Sequence, residues 1–460
     1  EEFINYFSYD YAPPSDGRPF AIHVDSALAP WNPDNILVRV AIKGREVARR
    51  ERPRANLVFL LDVSGSMDND NKLPLLRRSL SMLVEQQAPE DRVAIVVYAG
   101  ASGVVLPSTP VARKHEILAA LERLKAGGST NGGAGIELAY ALAADHLVEG
   151  GVNRVFLATD GDFNVGLTDR AALTELIARK AASGVYLTVL GVGMGSYRDA
   201  LLEQLSGRGN GNYAFIDTDS EARKVLVEQA SATLMTIAKD VKIQVEFDPQ
   251  RVKSYRLIGY ENRILAARDF ADDRKDAGEI GAGHTVTALY EVVPRPRSGR
   301  ASSADTPAGA ADGGLFGYRV SRPPGQSEDR AQPRLTVKLR YKQPAASRSQ
   351  LIEVPLRGRG KTRLDDSSAD FHMAVAAAAF AMILRDSPHR GSATLDDVLA
   401  WAERAQSRDP ASTLIEARQP FGKTRGQARQ LIGRHGMLAR HGPDRKKPLF
   451  HPVELMGIEI

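Results

Sequence analysis

Asn56-Leu57-Val58-Phe59-Leu60-Leu61-Asp62-Val63-Ser64-Gly65-Ser66-Met67 is an apolar run of strand length that ends in one acid and two serines. Such a run, followed by a helical segment from about Lys72, reads as a strand buried on both faces of a parallel sheet. In that architecture polar groups collect at the carboxyl ends of strands, beside helix N-termini. Asp62 supplies a carboxylate there, Ser64 and Ser66 can turn two hydroxyls toward the same point, and Gly65 permits the tight turn between them. Hard oxygen donors of this kind suit Mg²⁺, Ca²⁺ or Mn²⁺ rather than Zn²⁺.

Outward from this stretch, apolar strands alternate with helices as far as about residue 238. Strands are expected at 56–61, 93–98, 154–158 and 185–192, with a short one at 104–106 and an edge strand at 213–216. The helices fall at about 72–87, 111–124, 134–148, 169–182, 197–205 and 219–238. The pattern predicts a doubly wound α/β domain over 53–238.

Asp-x-Ser-x-Ser after the first strand resembles the metal-ion-dependent adhesion site of von Willebrand factor A domains, a Rossmann-like fold with a mostly parallel sheet. That pattern adds a threonine from a loop in mid-domain, matched by Thr130 in Gly127-Gly128-Ser129-Thr130-Asn131-Gly132. It also adds an aspartate ending a later strand, matched by Asp160 in Thr159-Asp160-Gly161. The plainer reading is that Asp62 and Asp160 cap helices and the serines satisfy turns. Against it, two carboxylates brought together at a strand edge repel without a cation. The resemblance implies a metal site of Asp62, Ser64, Ser66, Thr130 and Asp160, with Mg²⁺ as the expected ion and Mn²⁺ or Ca²⁺ as alternatives. Mg²⁺ takes six oxygens, so the resemblance further implies an exchangeable position that an Asp or Glu side chain of a protein ligand fills. Asp68, Asp70 and Asp162 nearby read as solvated loop acids, with a second cation or a partner contact as the alternative.

Beyond the A domain the period changes. Val241-Lys-Ile-Gln-Val-Glu-Phe247 alternates apolar and polar residues, as a half-buried antiparallel strand does. Stretches 254–258, 285–293, 335–341 and 351–354 continue in that mode, so 239–360 reads as an antiparallel β-sandwich. Residues 1–52 form a flanking segment whose strand at 36–43 fits no βα unit and is expected to join the sandwich, leaving the A domain inserted in it. Pro, Gly, Ser and Arg crowd 295–332, which reads as a disordered loop. A small helical region is expected over 361–415, with helices at about 369–385 and from Thr394, and an irregular basic tail over 416–460. Glu2-Phe3-Ile4-Asn5-Tyr6-Phe7, Ala29-Pro30-Trp31-Asn32-Pro33 and Leu257-Ile258-Gly259-Tyr260-Glu261-Asn262-Arg263 resemble the bacterial YfbK-like family of A-domain proteins. More loosely, the β region resembles the sandwich beside A domains in inter-alpha-trypsin inhibitor heavy chains and integrins.

The net charge of +5 comes from the tail, since from Arg418 onward nine Lys and Arg face three Asp and Glu. That tail lacks interleaved stacking aromatics, so no nucleic acid is expected as a partner. There is no cysteine, which excludes disulfides, thiolate metal sites and cysteine nucleophiles. Ser64 and Ser66 are not in a Gly-x-Ser-x-Gly elbow, and the glycine-rich loop at 127–135 lacks the Gly-Lys-Ser/Thr of a P-loop. Asp62-Val63-Ser64 lacks the second aspartate of an Asp-x-Asp phosphotransferase, and His115 and His146 fall inside expected helices. No enzyme is expected. The resemblance implies a cation-dependent module for adhesion or assembly, exported to the periplasm or cell surface. A leader absent from this sequence, which opens at Glu1 without a basic or apolar signal region, would carry any lipid anchor to the membrane. The alternative is an adaptor subunit of an intracellular ATPase or chelatase-type complex.

Overall fold

The computed structural model describes residues 2–48, 51–99, 102–128, 132–161, 170–193, 199–229, 234–260, 269–275, 277–295, 334–344, 346–357 and 363–408 of the 460-residue chain. Thr130, Asp162, the stretch expected to be disordered (but for its first residue) and the basic tail lie outside these residues. The short helix α1 (Glu2–Asn5) precedes a hairpin of β1 (Phe20–Ala29) and β2 (Asn32–Gly44). The A domain then begins with β3 (Ala55–Asp62), α2 (Leu73–Glu85), β4 (Arg92–Tyr98), β5 (Ser102–Pro110) and α3 (Lys114–Glu122). It continues with α4 (Gly132–Asp145), β6 (Val152–Thr159), α5 (Arg170–Ala182), β7 (Tyr186–Val192), α6 (Asp199–Arg208), β8 (Tyr213–Ile216) and α7 (Asp219–Arg223).

The A-domain sheet has the order β5-β4-β3-β6-β7-β8, parallel except for the edge strand β5. Every residue of β3 and β6 is buried, because helices cover both faces. Leu76 and Leu80 of α2 and Ile117 of α3 pack on one face, and Ile136 and Tyr140 of α4, Ile177 of α5 and Leu202 of α6 on the other. That double cover is why these strands are continuous apolar runs rather than alternating ones. The chain steps from β3 outward to β4 on one side and returns to β6 on the other. The switch point of the sheet therefore lies between the carboxyl ends of β3 and β6.

After the A domain come β9 (Thr236–Phe247), β10 (Val252–Leu257), β11 (Gly278–Gly281), β12 (Thr285–Pro294), β13 (Arg334–Lys342) and β14 (Gln350–Arg357). Two four-stranded antiparallel sheets result, β1-β2-β12-β10 and β11-β9-β13-β14. Val38, Val40 and Ile42 of β2 and Val286 and Ala288 of β12 face Val245, Val337 and Leu339 between the sheets. On the opposite face, Leu37 and Ala41 pack under the helices α8 (Ala369–Leu384) and α9 (Leu395–Arg408), together with Ile4, Phe7 and Tyr9. Ser368 caps α8 by accepting from the Phe371 amide at 3.2 Å. Thr394 and Asp397 form a capping box at the start of α9, with bonds of 2.9 and 3.2 Å.

The structure departs from the sequence reading at three places. Two strands, not one, precede the A domain in the sandwich, because Phe20–Ala29 pairs along the whole of β2. The helix expected over 219–238 stops early: α7 passes into a π turn at Lys224–Glu228, and Thr236 already belongs to β9. The four-residue strand β11 was too short to stand out.

The A domain leaves and re-enters the sandwich at one turn. Gly283 N donates to Arg45 O at 2.9 Å and Ala282 N to Met235 O at 2.8 Å, so residues 281–284 grip both crossings. His284, in that turn, is kept neutral. Burial and then the Lys43 charge push its pKa down from 6.5 to about 4. The folded value lies below the unfolded one, so the unfolded chain binds more protons between the two. Stability should therefore fall as pH drops from 6.5 toward 4, by at most about 1.4 kcal/mol per unit from this residue. Urea titrations at a series of pH values test this. His284→Gln should flatten the slope in that window, and an identical slope in the variant would remove His284 as its cause.

Candidate functional site

The register of the sheet places the site. Leu61 pairs with Ala158 across β3 and β6, so Asp62 and Asp160 leave adjacent parallel strands at the same edge. Asp62 is wholly buried, with Tyr98 beside it at the end of β4. Its Oδ1 accepts from the Ser64 amide at 2.9 Å, which curls the chain back over the strand end. Its Oδ2 accepts from the Thr159 hydroxyl at 3.3 Å. Residues Gly65–Met67 form a single 3₁₀ turn pinned by the buried Met67 side chain. That turn brings the Ser64 and Ser66 hydroxyls to 3.1 Å from each other.

Two loops are laced together around this turn. Gly127 N donates to Val63 O at 2.7 Å, and Gly65 N donates to Gly128 O at 3.1 Å. The segment that leads to Thr130 is thus fastened to the Asp62–Met67 loop two residues before that threonine. Helix α4, which follows, sits close on the sheet: a Cβ at Gly135 would lie 3.0 Å from Cβ of Tyr98. On the other side, Asp160 meets Lys72, whose Nζ lies 2.9 Å from Asp160 Oδ2 and donates to Ser66 O at 2.9 Å.

The electrostatics are those of an anionic site short of positive charge. Burial raises the pKa of Asp62, the Ser64 hydroxyl and amide oppose this, and the nearby Asp160 charge raises it further. Burial and the Asp62 charge push the Tyr98 phenol well up as well. A donor set of two carboxylates and paired hydroxyls fits a hard divalent cation, and the Lys72 ammonium already approaches it as a cation.

Of the five residues singled out in the sequence, Asp62, Ser64, Ser66 and Asp160 come together at this edge. Thr130 lies outside the described residues. Asp68 and Asp70 are exposed, as solvated loop acids are. His115 and His146 are exposed helix residues, one within and one just past its helix. Sequence reasoning missed Lys72, Tyr98 and Thr159. Among the described residues no group of three or more His, Asp or Glu gathers as a metal site, and at this edge two carboxylates meet beside hydroxyls.

Comparison with known proteins agrees with this architecture. The family model "von Willebrand factor type A domain" matches residues 56–229. The model "Uncharacterized protein YfbK, C-terminal" matches 232–419, and "von Willebrand factor" matches 1–39. The Uncharacterized protein YfbK of Escherichia coli (strain K12) is 41% identical over 417 residues, covering 89% of this chain and 70% of that protein. Human inter-alpha-trypsin inhibitor heavy chain H4 is 32% identical over 178 residues, covering 36% of this chain and 19% of that protein. Among solved structures, von Willebrand factor type A from Catenulispora acidiphila aligns at 15% identity with a TM-score of 0.44, covering 86% of this chain and 87% of that one. With a relative 41% identical over most of the chain, and models matching the Asp62 edge and the region after it, the chain belongs to the YfbK family, in which a von Willebrand factor A domain is joined to the YfbK C-terminal domain.

Proposed function

We propose that this protein is a cation-dependent binding module, in which a Mg²⁺ ion held at the Asp62 edge accepts an Asp or Glu side chain from a protein partner. Von Willebrand factor A domains generally mediate protein–protein interactions and often bind a divalent metal at an adhesion site of this kind. The observation that carries the reading here is the convergence of Asp62 and Asp160 on adjacent strand ends, with the Ser64 and Ser66 hydroxyls 3.1 Å apart beside them. Asp62, Ser64, Ser66 and Asp160 would hold the ion, with Thr130 as the fifth residue expected from the sequence. The ion supplies Lewis acidity toward an oxygen ligand. The residues fix where that ligand must arrive: at the carboxyl edge of the sheet, where Ser66 is exposed while Asp62 and Met67 are buried behind it.

No catalysis is part of this proposal. Export to the periplasm or cell surface belongs to the same proposal. Titration calorimetry with Mg²⁺ and Mn²⁺ should give saturable binding at a single site per chain. In parallel, proteins retained from the native host's envelope fraction should be released by EDTA. Heat flow no greater than dilution for both ions would sink the reading.

A further inference from the structure

Lys72 was unremarkable in sequence, a basic residue at the start of a helix, yet its side chain is built into the site. Only 18% of the Lys72 side chain is exposed, and 5% of that of Asp160, so this is not a solvated surface pair. Its backbone is fixed from both sides. The amide donates to Asn69 O at 2.9 Å, and the carbonyl accepts from Leu76 N at 2.8 Å. The aliphatic stem runs past Gly193, which follows the end of β7 at a φ of +87°. A Cβ at Gly193 would lie 2.6 Å from Cε and 3.0 Å from Cγ of Lys72, so the slot for the stem exists because residue 193 has no side chain. The ammonium is then delivered to Ser66 O and Asp160 Oδ2 at 2.9 Å each. One of these groups belongs to the serine turn and the other to the second carboxylate.

We propose that Lys72 is a built-in counter-cation of the metal site, which weakens the hold on the divalent ion and leaves the loaded site net positive toward an acidic partner. This rests on the metal-dependent reading above. Asp62 and Asp160 contribute two negative charges, and a divalent ion cancels them. With the Lys72 ammonium added, the loaded site carries one net positive charge; without it, none. A cation bonded to Asp160 competes with the ion for that carboxylate and repels it through space, and like charges this close change an affinity by about tenfold even when well screened. The same charge attracts an incoming carboxylate. Lys72 therefore exchanges metal affinity for ligand affinity and makes the unloaded site less self-repelling.

The test uses Mn²⁺ calorimetry on the whole protein, followed by acetate binding to the Mn²⁺-loaded protein, read from relaxation of the acetate methyl protons. Lys72→Met keeps the stem and removes the charge. Lys72→Gln removes the charge but keeps hydrogen-bonding capacity, which covers the case in which the Met variant folds poorly. Lys72→Arg keeps the charge. Both neutral variants should bind Mn²⁺ about tenfold more tightly and acetate several-fold more weakly, with the Arg variant close to wild type. If wild type binds Mn²⁺ and the neutral variants match it or bind more weakly, Lys72 is a structural ion pair and this inference fails alone. Absence of Mn²⁺ binding by the wild type overturns this inference together with the reading it rests on.

Discussion

Asp62→Asn is expected to abolish divalent-ion binding while leaving the metal-free protein at least as stable as the wild type. The two effects have one origin. Asp62 is fully buried at a strand end, next to a second carboxylate, and its raised pKa records that the folded chain disfavours its ionised form. At neutral pH that is a standing cost to the fold. Asparagine has the same shape. Its carbonyl oxygen can keep the bond from the Ser64 amide, and its NH₂ can donate to the Thr159 hydroxyl, which now donates to Asp62. The neutral variant therefore relieves the burial of charge and the repulsion from Asp160 while keeping the bond from the Ser64 amide. A neutral amide also makes a poor ligand for a hard divalent ion, so affinity should fall at least a hundredfold. In wild type at a free ion concentration of about 100 times Kd, the ion should add roughly 2.7 kcal/mol to stability, and Asp62→Asn should keep at most about 0.4 kcal/mol of it. Melting curves with and without Mg²⁺ read both halves at once. A variant that still gains stability from Mg²⁺ would remove Asp62 from the site. A variant that melts well below metal-free wild type would show that the carboxylate supports the fold.

That separation explains how much could be read from the sequence. Strand β3 and its Asp62-to-Met67 turn were legible because the site is written in a few consecutive residues, each with its own local reason to be there. The second carboxylate was legible because Asp160 follows the apolar run Val155-Phe156-Leu157-Ala158. Lys72 was not. Its role depends on Gly193, remote in sequence, having no side chain, and at the mouth of a helix a lysine reads as a solvated residue. Tyr98 was hidden because it is simply the last apolar residue of β4 until the register with Asp62 is known. In the sandwich, β2 stood out because both its faces are covered, by the second sheet and by α8. Strand β1 carries Ala27, Ala29 and Ser26 where larger apolar residues would have signalled it, and β11 is four residues long. The end of the A domain misled because Val225, Leu226 and Leu234 keep apolar spacing across the change from helix to strand.

A second expected result concerns a carboxylate with the opposite balance. Asp91→Ala should destabilise the protein by about 3–5 kcal/mol, the usual consequence of breaking a buried ion pair, while leaving Mn²⁺ affinity unchanged. Asp91 lies in the turn before β4 and is 1% exposed. Its Oδ1 accepts from Ala55 N and its Oδ2 from Ala88 N, both at 2.7 Å, and it is ion-paired with Arg52. Arg52 in turn donates to the Gln87 side chain at 2.7 Å. One carboxylate therefore fastens the incoming chain, Arg52 to Ala55, to the end of α2. Alanine would leave a guanidinium, 9% exposed, without its counter-ion and two backbone amides without acceptors. Asp91→Asn keeps one acceptor oxygen and should cost less, about 1–3 kcal/mol. The pair sits at the amino end of β4, whereas Tyr98 and Asp62 sit at the carboxyl ends of their strands, so the cation edge should not register the loss. Urea unfolding and Mn²⁺ titration on the same samples separate the two quantities. A change below about 1 kcal/mol in Asp91→Ala would mean that the Arg52 contact is dispensable. Weakened Mn²⁺ binding by an otherwise folded Asp91→Ala would mean that the entry of the chain into the A domain is coupled to the far edge of its sheet, which the placement of these residues argues against.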